Sequence, residues 1–329
     1  MKKTLIALAV LAVSGAAFAQ STATISGSIN VGVQDTGAAG AKAGVASLGG
    51  GANAINIVTL EDLGGGMRGG FSGQMRFNAS TGDMNSNGNG NAFLHDANVY
   101  VGGGFGTIRV GKITELNNCA FDPWACTGGA GVVAGVAGTI GASGSGLVGA
   151  QTIQSAVSYA TPTINGFSAT YQTSVSSRVN ERSVLSLNYA NGPVALQVLR
   201  TDGTANITAQ GALGAASTAP TDAAAQQTAL NASYNFGVAK VNVFNAKSEN
   251  AAGATTFDIT AISASMPMGA YTLLAGYAKD KKAAATADTK LAIGANYALS
   301  KRTTLGADLF KQEQVGGSTG FTVRARHTF

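Results

Sequence analysis

The residue types that most often carry chemistry are sparse in this chain: two histidines, His95 and His327, and two cysteines, Cys119 and Cys126. A histidine acting as general base must sit within about 2.6–3.2 Å of the proton it takes. Neither histidine falls in a triad or metal-ligand spacing, so the pattern speaks against an enzyme. Asp96 follows His95, but neighbours on a strand point to opposite faces. The cysteines enclose a short stretch with Pro123, Asp122 and Trp124. In an oxidising compartment that spacing predicts a disulfide closing a small ring. Free thiols or a metal site are the alternatives. Two sulfur ligands without a nearby histidine make a weak metal set, and no metal or other cofactor is expected.

The remaining candidates are charges. Arg68, Arg76, Arg109, Lys240, Lys290, Arg324 and Arg326 fall on the polar parity of alternating runs, while the acids of that parity are fewer, Asp96 and Asp308. If those polar faces line a lumen, the charges on them set ion preference. A basic wall with fewer acids predicts a modest anion preference. Arg76, Arg109 and Lys112 weigh most: Arg109 and Lys112 lead directly into the long segment that holds both cysteines, and Arg76 is close by strand order.

Strands must position these side chains. Ala23, Ile25, Gly27, Ile29, Val31 and Val33 occupy one parity, and Thr22, Thr24, Ser26, Ser28, Asn30 and Gln34 the other. The same period of two returns at Phe167–Gln172, Leu185–Tyr189, Leu230–Phe236, Leu291–Leu299 and Phe321–Phe329. A membrane-crossing barrel strand needs about 9–11 residues. A charge on its lipid face costs about 2–4 kcal/mol at mid-membrane, which explains why basic residues keep to the polar face. Tyr159, Tyr189, Tyr234, Phe236, Tyr277, Tyr297 and Phe329 stand at or near run ends, where aromatic rings suit the headgroup level. Around 257–266 the apolar residues change parity, from Phe257, Ile259 and Ala261 to Ile262, Ala264 and Met266, which predicts a bulge or a late strand start.

Composition agrees. Glycine is 46 of 329 residues, about twice the usual share of roughly 7%, and charged residues are only 11%. Disorder would need the opposite, low hydrophobicity with high charge. Residues 1–19 read as a secretory signal peptide: Lys2 and Lys3, a short apolar stretch, then Ala17-Phe18-Ala19. Without Lys2 and Lys3 the formal charge drops from +5 to near +3, too weak and scattered for a nucleic-acid partner. No later run of 18 apolar residues predicts a membrane helix.

Seven tight links, Glu61–Gly66, Gly102–Gly106, Pro162–Gly166, Ala190–Pro193, Phe236–Val238, Met266–Gly269 and Ser300–Arg302, alternate with eight long polar or Gly/Ala-rich stretches. Fifteen connections predict an all-β, sixteen-stranded antiparallel transmembrane β-barrel over residues 20–329, with short turns at one rim and long loops at the other.

The turns also carry a resemblance. Glu61-Asp62-Leu63-Gly64-Gly65-Gly66, Tyr100-Val101-Gly102, Gly104-Phe105-Gly106-Thr107-Ile108-Arg109-Val110-Gly111-Lys112, Tyr159-Ala160-Thr161-Pro162, Tyr189-Ala190-Asn191-Gly192-Pro193, Tyr297-Ala298-Leu299-Ser300-Lys301-Arg302-Thr303 and Arg326-His327-Thr328-Phe329 follow one another through almost the whole mature chain. In this they resemble the Gram-negative porins of β-proteobacteria, the group that includes the neisserial porins. The resemblance implies a channel for passive diffusion of small hydrophilic solutes, in the Gram-negative outer membrane among its lipids and lipopolysaccharide. It implies a homotrimer, and a third long loop folded inward, on which Glu115 and Asp122 would face the basic wall. Phe329 is similar to the terminal aromatic that the barrel-assembly machinery reads. This chain is poorer in charge at 128–150 than such loops usually are. A porin selective for small organic anions and a plugged barrel serving as adhesin or structural anchor remain the competing readings.

Overall fold

The computed structural model describes residues 21–37, 40, 42–48, 53–84, 94–114, 116, 119–124, 152–175, 182–203, 224–281, 288–312 and 318–329. Within them the chain forms β1 (Thr22–Asp35), β2 (Gly44–Ser47), β3 (Ala54–Gly64), β4 (Met67–Arg76), β5 (Asp96–Gly103), β6 (Gly106–Thr114), a 3-10 turn (Cys119–Phe121), β7 (Thr152–Ala160), β8 (Phe167–Ser174), β9 (Arg182–Asn191), β10 (Val194–Gly203), β11 (Ala224–Asn235), β12 (Lys240–Asn250), β13 (Thr255–Met268), β14 (Tyr271–Asp280), β15 (Asp288–Ala298), β16 (Thr303–Gln312) and β17 (Ser318–Thr328).

From β3 to β17 each strand pairs antiparallel with the next, and β1 pairs with both β17 and β3, so the sheet closes on itself. The second wall position is shared by two strands. β1 pairs through Thr22–Ser28 with β3 and through Val31–Gln34 with β2. Counted around the wall, the barrel therefore has sixteen positions, with all seven tight turns where the spacing places them. Closure leaves the sheet without a lateral edge along the seam, which is what a bilayer demands of a β-structure.

The period of two decides which side faces out. Val99, Phe167, Leu291 and Ile293 are exposed on the convex face, while their strand neighbours are buried or half-buried on the concave one. A soluble domain would not present such a continuous apolar belt to water. At the short-turn rim the ring pairs Phe167–Tyr189, Tyr234–Phe236 and Tyr271–Tyr297 stand with centroids 4.5, 4.6 and 4.7 Å apart. Two turn glycines seat this girdle. Gly106 and Gly166 adopt φ of +109° and +87°, and a Cβ there would lie 3.2 and 3.3 Å from the rings of Tyr159 and Tyr189. The seam has the same device. Gly27 and Phe329 exchange both backbone hydrogen bonds, and the Phe329 ring lies over Gly27, where a Cβ would sit 2.5 Å from the ring.

The parity change at 257–266 resolves differently from the expected bulge within that run. The irregularity lies just before it, where β12 shifts register against β13 between Ser248 and Glu249. From Phe257 onward the ladder is regular, and Ile259 and Ala261 point inward, both buried. They join Leu199, Ala229, Phe244 and Ala246 in an apolar cluster on the concave face, which also includes Trp124 of the third loop. The polar-inside rule thus fails on part of the wall because that part is covered rather than wet.

Candidate functional site: the inner wall

The strand parities bring two groups of charges to different parts of the concave face. The first is built on β4, β5 and β6. Arg76 ends β4 opposite Ala54, and its Nε donates to Gln74 Oε1 at 2.6 Å. Gln74 in turn donates through Nε2 to Asn56 Oδ1 at 2.8 Å. On β6, Arg109 pairs with Tyr100 of β5; its guanidinium lies 5.1 Å from the Tyr100 ring centre and donates to Asn98 Oδ1 at 3.1 Å. The Tyr100 hydroxyl is pinned by donating to the Thr59 carbonyl at 2.8 Å. Asp96 is the one carboxylate among these strands. It accepts from Asn98 Nδ2 and from the Thr114 amide, and lies within electrostatic reach of Arg76 and Lys112. Lys112 is half-buried, and its Nζ donates to the Leu94 carbonyl at 3.1 Å. His95 sits just before β5, buried. Its burial, joined by the positive charges of Arg76 and Lys112, pushes its pKa down to about 3, so the imidazole is neutral at physiological pH.

The second group is built on β12, β15, β16 and β17, and here the third loop meets the wall. Asp122 and Pro123 start a turn in which Asp122 Oδ1 accepts the Trp124 amide at 3.0 Å, a side-chain-to-backbone bond that aims the indole. Trp124 is 1% exposed, and its Nε1 donates to Asp308 Oδ1 at 2.9 Å. The other Asp308 oxygen is ion-paired with Arg324 Nη1, and Arg324 Nη2 donates to Asn296 Oδ1 at 2.6 Å. Glycines make the room: a Cβ on Gly306 would lie 2.5 Å from the Arg324 guanidinium carbon, and one on Gly294 would meet the Asp308 carboxylate. Lys240 opens β12 beside its short turn and donates from Nζ to the Ala120 carbonyl of the 3-10 turn at 3.3 Å. Lys290, buried on β15, holds its ammonium 4.8 Å from the Phe310 ring centre, within electrostatic reach of Asp122.

The residues singled out from sequence therefore divide. Arg76, Arg109 and Lys112 share one region. Lys240, Lys290, Asp308, Arg324 and Asp122 share another, in which Lys290, Asp122, Asp308 and Arg324 are buried rather than open to the lumen. Burial there follows from mutual pairing and from the loop laid over them. Arg68 stands apart, exposed at the turn between β3 and β4 opposite Asp62. Arg326 is half-buried on β17. Cys119 begins the 3-10 turn, whereas Glu115 and Cys126 lie outside the described residues. Sequence reasoning did not single out Asn98, Tyr100, Asn296 or the indole of Trp124 as functional. Parity alone could have put Asn98 and Tyr100 on the Arg109 side of the wall, while nothing local pairs Trp124 with a residue 184 positions away.

A closed barrel, apolar outside and polar within, with charged clusters on its inner face, is the architecture of a membrane-embedded channel. The comparisons make this specific. The chain matches the Gram-negative porin family over residues 4–316 and belongs to that family. It is 31% identical to outer membrane porin protein 32 of Delftia acidovorans, over 94% of this chain and 89% of that protein. Among solved structures it is similar to an anion-selective porin from Comamonas acidovorans, with a TM-score of 0.72 at 23% identity, covering 94% of this chain and all of the other. OmpT of Vibrio cholerae shares the fold with a TM-score of 0.66 at 12% identity, over 94% and 98% of the two chains. The protein is a non-enzymatic channel of the Gram-negative outer membrane.

Proposed function

We propose that this porin passes small hydrophilic solutes by passive diffusion and prefers anions modestly. The carrying observation is the β4–β6 wall, whose strands carry the three cations Arg76, Arg109 and Lys112 against one carboxylate, Asp96. Arg76 and Arg109 donate to the neutral amide oxygens of Gln74 and Asn98, which orient the guanidinium groups. The anion-selective description of the Comamonas acidovorans porin supports the same sign. The third loop, whose residues Ala120, Asp122 and Trp124 lie against the opposite side, narrows the lumen beside this wall.

The mature channel starts after a signal peptide at residues 1–19, and Cys119 and Cys126 form a disulfide that stiffens the ring around Asp122 and Trp124. It works as a homotrimer among outer-membrane lipids and lipopolysaccharide, with Phe329 as the signal to the barrel-assembly machinery. Reversal potentials across a planar bilayer in a salt gradient test the proposal. An anion-signed potential that falls when Arg76 and Arg109 are changed to Gln is expected. A cation-signed potential in the unaltered protein overturns it.

A further inference from the structure

We propose that Trp124, Asp308 and Arg324 form a latch that positions the third loop and thereby sets the cross-section of the pore rather than its charge preference. The inference rests on the reading of that loop as the constriction. Three observations carry it. Trp124 and Asp308 are joined by a buried hydrogen bond between loop and wall. The Asp308 carboxylate and the Arg324 guanidinium are 0% and 5% exposed as side chains and paired with each other, so their charges largely cancel where they sit. Gly294 and Gly306 leave the space these two side chains occupy, and Asn296 receives the second arm of the guanidinium, so Arg324 is fixed by two partners on its own wall. A compensated, buried pair projects little field into the lumen. What it does project is an acceptor at a fixed height on β16, which the indole reaches from across the barrel.

Trp124 acts here as a built-in reporter, because it is the single tryptophan of the chain. Docked against Asp308, it should emit at short wavelength and resist acrylamide. Changing Asp308 alone strands the Arg324 charge in a buried place, which threatens folding itself. The double variant Asp308→Leu/Arg324→Leu removes both charges together and is the test variant, with retained heat-modifiable mobility on gels showing that the barrel is folded. Loss of a hydrogen bond to a charged acceptor shifts the docked-to-undocked ratio of the loop by about tenfold or more.

In detergent-solubilised full-length protein, the expected result is red-shifted, acrylamide-accessible emission from Trp124. In bilayers, the same variant and Trp124→Phe should both show steps between two conductance levels, while their reversal potentials match the unaltered protein. Emission that stays short-wavelength and shielded in the double variant overturns the latch. An exposed Trp124 with unchanged conductance overturns the claim that the latch sets the cross-section, and with it the third loop as constriction. A reversal potential that moves as far in the double variant as in Arg76→Gln overturns the separation of geometry from charge. Failure of the anion reading is seen separately, as an Arg76→Gln variant whose reversal potential does not change.

Discussion

Arginine appears on two sides of the same inner wall, at Arg76 and Arg109 on β4 and β6 and at Arg324 on β17, and its surroundings give it opposite tasks. On the first side the guanidinium groups lean on amides and a tyrosine ring, and positive charge outnumbers negative. On the second side one guanidinium is matched by one carboxylate, both out of water, and the pair holds a loop. A residue type at inward parity is therefore not yet a pore charge. What decides is how far nearby carboxylates compensate it, and whether water reaches it.

The sharpest way to break this comparison is to remove one half of the buried pair. Asp308→Leu leaves Arg324 charged and desolvated, and should cost about 3–5 kcal/mol. The measurement is the temperature at which the barrel loses its compact gel mobility, and most of the loss should return in Asp308→Leu/Arg324→Leu. An unaffected single variant would mean that the carboxylate is not the compensating charge. Next in size come Arg76→Gln and Arg109→Gln. Each should leave stability nearly unchanged and lower the anion-to-cation permeability ratio about sevenfold, because roughly 0.6 kcal/mol for a charge ~7 Å from the passing ion in water acts with opposite sign on anion and cation.

A smaller effect separates fixed from titratable charge on the basic wall. His95 has its pKa lowered from 6.5 to about 3, so the unfolded chain takes up a proton below pH 6.5 that the native state refuses. The stability this contributes is complete above pH 6.5 and is lost progressively as pH falls toward 3, at no more than about 1.4 kcal/mol per pH unit. Melting of the barrel followed from pH 8 to 4 should show that slope, and His95→Gln should flatten it. Ion preference should stay level from pH 8 to 5, because His95 remains neutral throughout. The smallest effect belongs to Arg68→Ala. Exposed at a turn, it should change stability by no more than about 0.5 kcal/mol and leave the reversal potential close to that of the unaltered protein.

Much of the barrel is legible in the residues themselves. Strand parity and the alternation of tight with long connections specify sixteen wall positions, because lipid on one side and a polar interior on the other enforce a period of two. The division of the second wall position between β2 and β3 is not legible, since Gly44–Ser47 carries too short a pattern to announce a separate strand. The inward Ile259 and Ala261 mislead for a physical reason: they pack in an apolar cluster, so the wet-interior pattern does not apply to them. At the candidate site, parity assigns Arg76, Arg109, Asp308 and Arg324 to the concave face, but it carries no information on which of them meet. The bond from Trp124 to Asp308 joins residues far apart in the chain, and only the closed barrel brings them within reach.

The bonds between Gly27 and Phe329 bear on how the molecule comes into being. Until β1 and β17 meet, the sheet is an open ribbon whose first and last strands both offer unpaired amides and carbonyls to any other chain. Sealing happens between segments at opposite ends of the sequence, the slowest kind of encounter for a polypeptide to make. The ring seated on Gly27 caps one end of that seam, beyond the eight residue pairs that run from Ser28–Thr328 to Asp35–Phe321, so both margins are hidden along their length and not at a single contact.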